Sequence, residues 1–336
     1  MLKKQRLYLF ALACLVFRFF ISAQSVGQES PQYGVVPSIQ AMQAKDFRQT
    51  IDRLVDTDAK ASEPGAAFQF DYWFAIQGII PYAFAPDDPL FIQYGKPSII
   101  VISTMSSSAT GLMSESQPTY YYFDSNGRLD GLASYSDGEY YLDRFVYDSE
   151  SRLIGRIQGN QTGKPVSQNI SIQYSQWKGG SRCVISGSGT KEIRETRDGN
   201  AVSYALYDPK KVHENKLVVL FNDNQITSLD YTIYYGAGKS ESVRKRVLTD
   251  GRWTEFTSGF GRANGDTEIM LSKTYSYDSS AILKNIEIRD FRSIQNSGRA
   301  EVQAIDAYGN WTRLVYREYS GDVITVNRSI SYGKAN

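Results

Sequence analysis

Few residues in this chain of 336 have the types and spacing that chemistry needs. Its one histidine, His213, sits in Lys-Val-His-Glu-Asn ahead of an apolar run. A catalytic base needs a nucleophile and an orienting acid, and a zinc ligand needs Cys or His companions at a usual spacing. His213 has neither nearby and reads as a surface turn histidine. Carboxylates are plentiful, and two acids distant in sequence can converge as a glycosidase pair. Asp87-Asp88, set between Pro86 and Pro89, is the most tempting place. Adjacent side chains on extended backbone point apart, so the pair reads as solvated turn acids. Asp124-Ser125-Asn126-Gly127 offers oxygen ligands of the kind calcium takes, but Tyr135 stands where an EF-type loop closes with Glu. Gly187-Ser188-Gly189 and Gly259-Phe260-Gly261 lack the spacing and the Lys-Ser/Thr ending of a phosphate loop, and read as tight turns. The expectation is no catalytic residue, no metal and no cofactor.

The elements that position these residues begin with an export signal. Lys3, Lys4 and Arg6 precede the apolar Leu7 to Phe17, and Ser22-Ala23 supplies a small-residue exit, so residues 1–23 read as a signal peptide cleaved after Ala23. Arg18 leaves the apolar run shorter than the roughly 20 residues that span a bilayer, and no transmembrane span is expected once the signal is removed. Cys14 is a poor lipidation site, because Leu15 to Ile21 continues the apolar segment. Only Cys183 then remains, so no internal disulfide can form outside the cytoplasm and stability must come from burial. Lys and Arg number 37 against 36 Asp and Glu, which supplies no basic field for nucleic acid. The expected location is extracytoplasmic: periplasm, outer-membrane surface or medium.

After a polar lead from Gln24 to Pro37, Ser38 is positioned to cap a helix whose stripe Ile39, Met42, Phe47, Ile51, Leu54 and Val55 packs on a first sheet. Phe68 to Ser103 is the most apolar stretch, cut into strand lengths by Gly78, Pro81, the Asp87-Asp88 turn and Gly95-Lys96-Pro97. Ile99 to Ile102 is a candidate central strand. Ser103 to Gln117, rich in serine, reads as a linker. Residues 24–118 are thus expected to form a helix, a small apolar β subdomain and a linker, and residues 119–336 a repeat β domain. Tyr 24 and Phe 16 suit pleated, half-buried surfaces and cross-strand pairs.

The repeat is written in its turns. Tyr122-Phe123-Asp124-Ser125-Asn126-Gly127-Arg128-Leu129 is answered about two dozen residues later by Val146-Tyr147-Asp148-Ser149-Glu150-Ser151-Arg152-Leu153. The aromatic residue ends a strand, Asp124 or Asp148 can bond the backbone two residues on, Gly127 can take positive φ, and Arg128-Leu129 or Arg152-Leu153 opens the return strand. Weaker copies stand at Tyr277-Asp278 and at Asp306-Ala307-Tyr308-Gly309-Asn310-Trp311-Thr312; Tyr207-Asp208-Pro209 is a degenerate start. These units resemble the YD repeat of the Rhs family of surface and secreted proteins, and the Gly309 to Thr312 segment is similar to a variant found in YD-like proteins of Bacteroidetes. The resemblance implies long antiparallel sheets built from repeated hairpins. It departs at Ser151, which replaces Gly, and at Asp278, which is not followed by Gly-Arg.

Near the C-terminus a three-residue loop Ser320-Gly321-Asp322 would set Tyr316 opposite Val326, Glu318 opposite Ile324 and Thr312 opposite Ile330. One face then collects Leu314, Tyr316, Ile324, Val326, Ile330 and Tyr332, while Arg313, Val315 and Arg317 meet solvent. The predicted fold is mainly β, with antiparallel meander sheets of YD-like hairpins and one N-terminal amphipathic helix. An outer-membrane barrel fits less well, since outward faces carry Arg and Asp where lipid demands an apolar band. The predicted function is an exported binding or structural module for a glycan or protein ligand. The alternative is a carbohydrate hydrolase on a β scaffold using two carboxylates.

Overall fold

The computed structural model describes residues 36–54, 79–81, 85–177, 180–187, 189–207, 213–222, 225–234, 240–249, 252–261 and 267–332. The chain divides into two units, Met1–Met42 and Gln43–Asn336. In the first, only the start of a helix is described. The second is mainly β.

Helix α1 spans Val36–Asp52. It starts two residues before the expected cap, because Pro37 is tolerated in a first turn whose N–H groups have no helical partner. The strands follow as β1 (Pro97–Ser107), β2 (Met113–Glu115), β3 (Thr119–Phe123), β4 (Leu129–Ser136), β5 (Glu139–Tyr147), β6 (Leu153–Asn160) and β7 (Pro165–Trp177). Then come β8 (Gly180–Ser186), β9 (Thr190–Asp198), β10 (Ala201–Tyr207), β11 (His213–Asn222), β12 (Gln225–Tyr234) and β13 (Ser240–Thr249). The last six are β14 (Arg252–Gly261), β15 (Thr267–Tyr277), β16 (Leu283–Asp290), β17 (Gly298–Ile305), β18 (Trp311–Glu318) and β19 (Val323–Tyr332). All 19 belong to one sheet.

From β3 onward each strand pairs antiparallel with the next, the pattern that short turns impose. Strand β1 pairs on one side with β3, Ile100 opposite Tyr121, and on the other with β19, Ile100 opposite Ile330. The order of neighbours therefore returns to its starting strand, and the backbone of β1 and β19 is spent on each other rather than left as an exposed edge. Ile99 to Ile102 is accordingly central. The serine-rich stretch expected as a linker instead continues β1 to Ser107 and returns through β2, which pairs with the end of β1. Its Thr104 and Ser106 lie opposite Val326 and Ile324, so the ladder continues past the apolar part of β1.

Directly opposed residues share a face. One face carries Tyr204, Leu217 and Tyr231 in one row and Tyr275, Ile286, Ala300, Tyr316 and Ile324 in another. It is the main apolar face, with Ile100, Phe256, Ile286, Leu314 and Val326 in a single buried cluster. The reverse face is apolar where α1 lies. There Ala44, Ile51 and Leu54 are buried with Tyr120, Tyr122, Ala133, Leu142 and Ile157. With the half-buried Phe47 between them, spacings of three, four and three residues give α1 and the turn after it one apolar stripe. Each large aliphatic side chain so buried stabilises the docking by about 1.5–3 kcal/mol.

Glycine thins the sheet beneath α1. A Cβ on Gly159 would stand 2.8 Å from Leu54 Cδ2, and one on Gly131 would stand 3.1 Å from Ile51 Cγ2. Polar ties fix the helix over this gap. Tyr122 Oη donates to Ala44 O at 2.7 Å, Tyr120 Oη to Gln43 Oε1 at 2.8 Å, and Arg144 Nη1 to Leu54 O at 2.6 Å. Arg48 pairs with Asp130 at 2.6 Å.

The last hairpin differs from its predicted register. Tyr316 faces Ile324 and Leu314 faces Val326, a shift of two residues. The three-residue loop is Tyr319-Ser320-Gly321, closed by Glu318 N to Asp322 O at 2.9 Å, with Gly321 left-handed at φ 93. An even shift keeps every side chain on its predicted face, so Leu314, Tyr316, Ile324, Val326 and Ile330 still gather together. On the opposite face Arg313 and Arg317 are exposed as expected, but Val315 is 3% exposed and buried.

Candidate functional site

Among the described residues, four Asp turns share one hydrogen-bond pattern, which the Asn160 turn on the opposite edge repeats. Asp124 Oδ1 accepts from Asn126 N at 2.8 Å and Arg128 N at 2.9 Å. Asp148 does the same with Glu150 and Arg152 at 3.0 and 2.9 Å, Asp278 with Ser280 and Ile282 at 2.9 and 3.0 Å, and Asp306 with Tyr308 and Asn310 at 2.9 Å each. The fourth residue is left-handed in every copy: Gly127 at φ 82, Ser151 at φ 68, Ala281 at φ 65 and Gly309 at φ 91. Burial pushes the Asp124 carboxyl up, but hydrogen bonds from the Arg128 backbone and side chain and from Asn126 outweigh it and hold it below the usual range. At Asp278 the Ile282 N–H lowers the carboxyl against a smaller effect of burial.

The arginine and tyrosine of the repeat brace neighbouring units. Arg128 Nε donates to Asp124 at 2.7 Å while its guanidinium lies 4.7 Å from the Tyr147 ring, and Tyr147 Oη donates to Leu129 O at 2.7 Å. Arg152 repeats this with Asp148 at 2.8 Å and the Tyr174 ring at 5.1 Å, and Tyr174 Oη donates to Leu153 O at 2.6 Å. Sequence reading found the turn but missed the brace, whose tyrosine comes from the next hairpin. Because two strands separate the copies, all four turns fall on one edge of the sheet.

Residues 85–94 form a strap across the apolar face at that edge. Its Asp87, 5% exposed, accepts from Lys273 Nζ, from Tyr275 Oη at 2.9 Å and from Tyr316 Oη at 3.5 Å. Asp88 turns away and accepts from Ala85 N at 2.6 Å. The two carboxylates diverge as their adjacency requires, yet Asp87 is buried where a solvated acid was expected. The cause is cationic and phenolic partners on β15 and β18, which offset the desolvation of a carboxylate. Burial, with the charges of Asp87 and Asp88 behind it, raises the Tyr316 hydroxyl well above its ordinary range, so it is a neutral donor.

The rest of the strap is held by the Asn-Trp pair at 310 and 311. Asn310 Oδ1 accepts from Gln93 N at 2.8 Å and Tyr94 N at 3.1 Å, while its Nδ2 donates to Tyr94 O and Tyr332 Oη at 2.7 Å each. All four bonds of an amide side chain are thus made. Trp311 Nε1 donates to Pro86 O at 2.9 Å. Arg328 lies 3.8 Å over the Trp311 ring and donates to Trp311 O, Pro89 O and Phe91 O, the last two at 3.0 and 2.7 Å. Burial pulls this guanidinium down to about 9, with Tyr332 and Asp306 opposing. A cavity of about 10 Å³ among Pro86, Leu283, Trp311 and Arg328 has room for one water and no ligand.

Where the strap ends it brings aromatic rings to the surface. Tyr94 is 42% and Tyr308 53% exposed, and the Tyr308 ring lies 4.1 Å from that of Tyr332. Gln93 Nε2 donates to Tyr94 Oη and to Ala281 O at 3.0 Å each. Tyr332 Oη donates to Asp306, and burial first, then this bond, pushes its hydroxyl up to about 12. By contrast Tyr120, Tyr122, Tyr174, Tyr204, Tyr231 and Tyr275 are buried and serve the core. The exposed patch joins residues more than two hundred positions apart, which no local signal in the sequence could reveal.

Other sequence candidates fall elsewhere. Cys183 lies on the apolar face opposite Tyr174 and Ile193, and burial pushes its thiol well up. His213 opens β11 with its backbone opposite Tyr207, and its side chain lies outside the described residues, as do Asp208 and Pro209. Among the described residues no group of three or more His, Cys, Asp or Glu is placed to hold a metal.

No family model and no curated protein matches the chain. Among solved structures it is similar to a porin-like protein from Bacteroides uniformis, at 13% identity and TM-score 0.24, over 70% of this chain and 96% of that one. A porin-like protein from Bacteroides vulgatus gives 12% identity and TM-score 0.27 over 69% and 98%. The TcdB2-TccC3-TEV structure gives 16% identity and TM-score 0.19, over 59% of this chain and 10% of that one. Likeness at these TM-scores carries no argument about activity.

Proposed function

We propose that this chain is an exported binding module that holds a carbohydrate on the Tyr94–Tyr308 surface. The observation that carries the reading is the gathering of exposed aromatic rings beside amide and carboxylate groups on a strap pinned in place. Sugar C–H faces stack on aromatic rings, and sugar hydroxyls donate hydrogen bonds to acceptors such as Gln93 Oε1 and the Asp306 carboxylate at the rim. A site held rigid before the ligand arrives loses little entropy on binding, which is what the Asn310, Trp311 and Arg328 contacts supply. The signal-like segment 1–23 and the lone mature cysteine support an extracytoplasmic location. Repeated YD-like turns support a surface or secreted role of the Rhs type. A hydrolase reading finds less support, because Asp87 is engaged by a lysine and two tyrosines and Asp88 by backbone.

Glycan-array screening of the folded protein, followed by calorimetry on the best ligand, tests the proposal. Tyr94→Ala with Tyr308→Ala is expected to weaken binding at least tenfold, since each stacked ring is worth about 0.5–1.5 kcal/mol or more. An empty array, or binding unchanged in the double variant, overturns it.

A further inference from the structure

The four Asp turns differ at one point. In three of them the second carboxylate oxygen holds a cation: Asp124 takes Arg128 Nη2 at 2.6 Å, Asp148 takes Arg152 Nη2 at 2.7 Å, and Asp278 takes Lys284 Nζ at 3.2 Å. In the fourth, Asn310 stands where Arg128 and Arg152 stand, and its amide is turned to the strap. Asp306 Oδ1 is filled by the Tyr308 and Asn310 N–H groups, while Oδ2 accepts from Tyr332 Oη alone. Among the described residues no Lys or Arg forms an ion pair with Asp306. Arg328, whose charge acts on Asp306 through space, donates instead to the carbonyls of Pro89, Phe91 and Trp311. A carboxylate oxygen accepts about two hydrogen bonds, so Oδ2 keeps a place for one more donor. The neighbouring amide donors are committed, Gln93 Nε2 to Tyr94 Oη and Ala281 O, and Asn310 Nδ2 to Tyr94 O and Tyr332 Oη.

Resting on the carbohydrate reading, we propose that the ligand of the Tyr94–Tyr308 surface is an amino sugar with a free, protonated amine, whose ammonium donates to Asp306 Oδ2 beside the Tyr308 ring. The ammonium takes the place that Arg128, Arg152 and Lys284 fill in the sister turns. Exposed Tyr308 comes from the same turn as Asp306, and its ring lies against that of Tyr332, so aromatic faces stand next to the carboxylate. Such faces attract cations through their negative quadrupole. An acetamido group brings no charge to Asp306, and a uronate or phosphate sets like charge against it.

Calorimetry tests this with a glucosamine oligosaccharide and its N-acetylated counterpart of equal length, in mildly acidic buffer where the free amine is protonated. The free amine is expected to bind about tenfold tighter, from a charge-assisted hydrogen bond and an exposed cation–π contact. Asp306→Asn keeps the acceptor for the two N–H groups and should cut that preference to about twofold or less. Tyr94→Ala with Tyr308→Ala should weaken both sugars. Asp124→Asn, in a turn whose acid already holds Arg128, should leave both affinities unchanged. The preference should also shrink as salt is raised, a measurement that needs no variant. Failure of the free amine to bind, or affinity no better than that of the acetamide, overturns the amino-sugar assignment, and leaves the carbohydrate reading standing so long as the array shows another sugar. Absence of any sugar binding overturns both. A preference indifferent to salt, one that survives in an Asp306→Asn variant that melts like the parent, or a lysine oligomer that binds as tightly as the amino sugar, also overturns the assignment.

Discussion

Asn310 clasps the backbone of Tyr94 from both sides, accepting from its N–H at 3.1 Å and donating to its carbonyl at 2.7 Å, across 216 residues of sequence. Asn310→Ala leaves Gln93 N, Tyr94 N and Tyr94 O without this partner, at about 1–3 kcal/mol for each group left buried and unsatisfied. Urea unfolding should show the chain destabilised by about 2–4 kcal/mol. Asn310→Asp retains the acceptor and loses the donor, and should fall between.

Ser151 and Ala281 occupy left-handed backbone at φ 68 and φ 65 where the other two turns use glycine. Ser151→Gly and Ala281→Gly should each stabilise the protein by about 0.5–1 kcal/mol, because relief of the Cβ clash exceeds the added freedom of the unfolded chain. Thermal melts of both variants check the sign. The same change at Ser125, outside the left-handed position, should not help.

Acid should loosen the repeat turns. The folded Asp124 and Asp278 carboxyls are held below their ordinary value by backbone N–H donors. A lowered folded value means the unfolded chain binds more protons, so their stabilisation is present above the unfolded value and is lost as pH falls through the folded one. Asp124→Asn should therefore be less stable than the parent at neutral pH, with the gap narrowing below about pH 4. Denaturant titrations of both proteins across that range measure it. A gap that widens on acidification would contradict this account of the turn.

Gly159 admits Leu54 to the sheet at a distance no Cβ tolerates. Gly159→Ala should cost about 1–3 kcal/mol by overpacking. Leu54→Ala alone should cost about 2–5 kcal/mol as a cavity. The pair together should cost less than the sum, since the smaller side chain makes room for the new methyl. A double-mutant cycle with both single variants folded decides this, and strict additivity would sink it.

Legibility followed the range of the interactions. Turns were readable because Asp124, Gly127 and Arg128 act within four residues of one another, and the helix stripe was readable because Phe47, Ile51 and Leu54 repeat with the turn of a helix, though Ala44 was missed. The last hairpin's faces were readable from alternation, but its register was not. Tyr319-Ser320-Gly321 and Ser320-Gly321-Asp322 place the same residues on the same face, so the apolar pattern cannot choose between them. Asp87 was misread as a solvated acid since its partners Lys273, Tyr275 and Tyr316 are remote in sequence.

By itself, then, the sequence determined a mainly β chain of antiparallel hairpins with one amphipathic helix, because periodicity and turn chemistry are local properties of the backbone. Tertiary structure alone decided that β1 pairs with β19, that Tyr174 braces the hairpin before its own, and that the Tyr94 ring lies beside Gly309, next to Tyr308. Such meetings depend on which strands become neighbours, and that choice is set by burying whole faces at once rather than by any short run of residues.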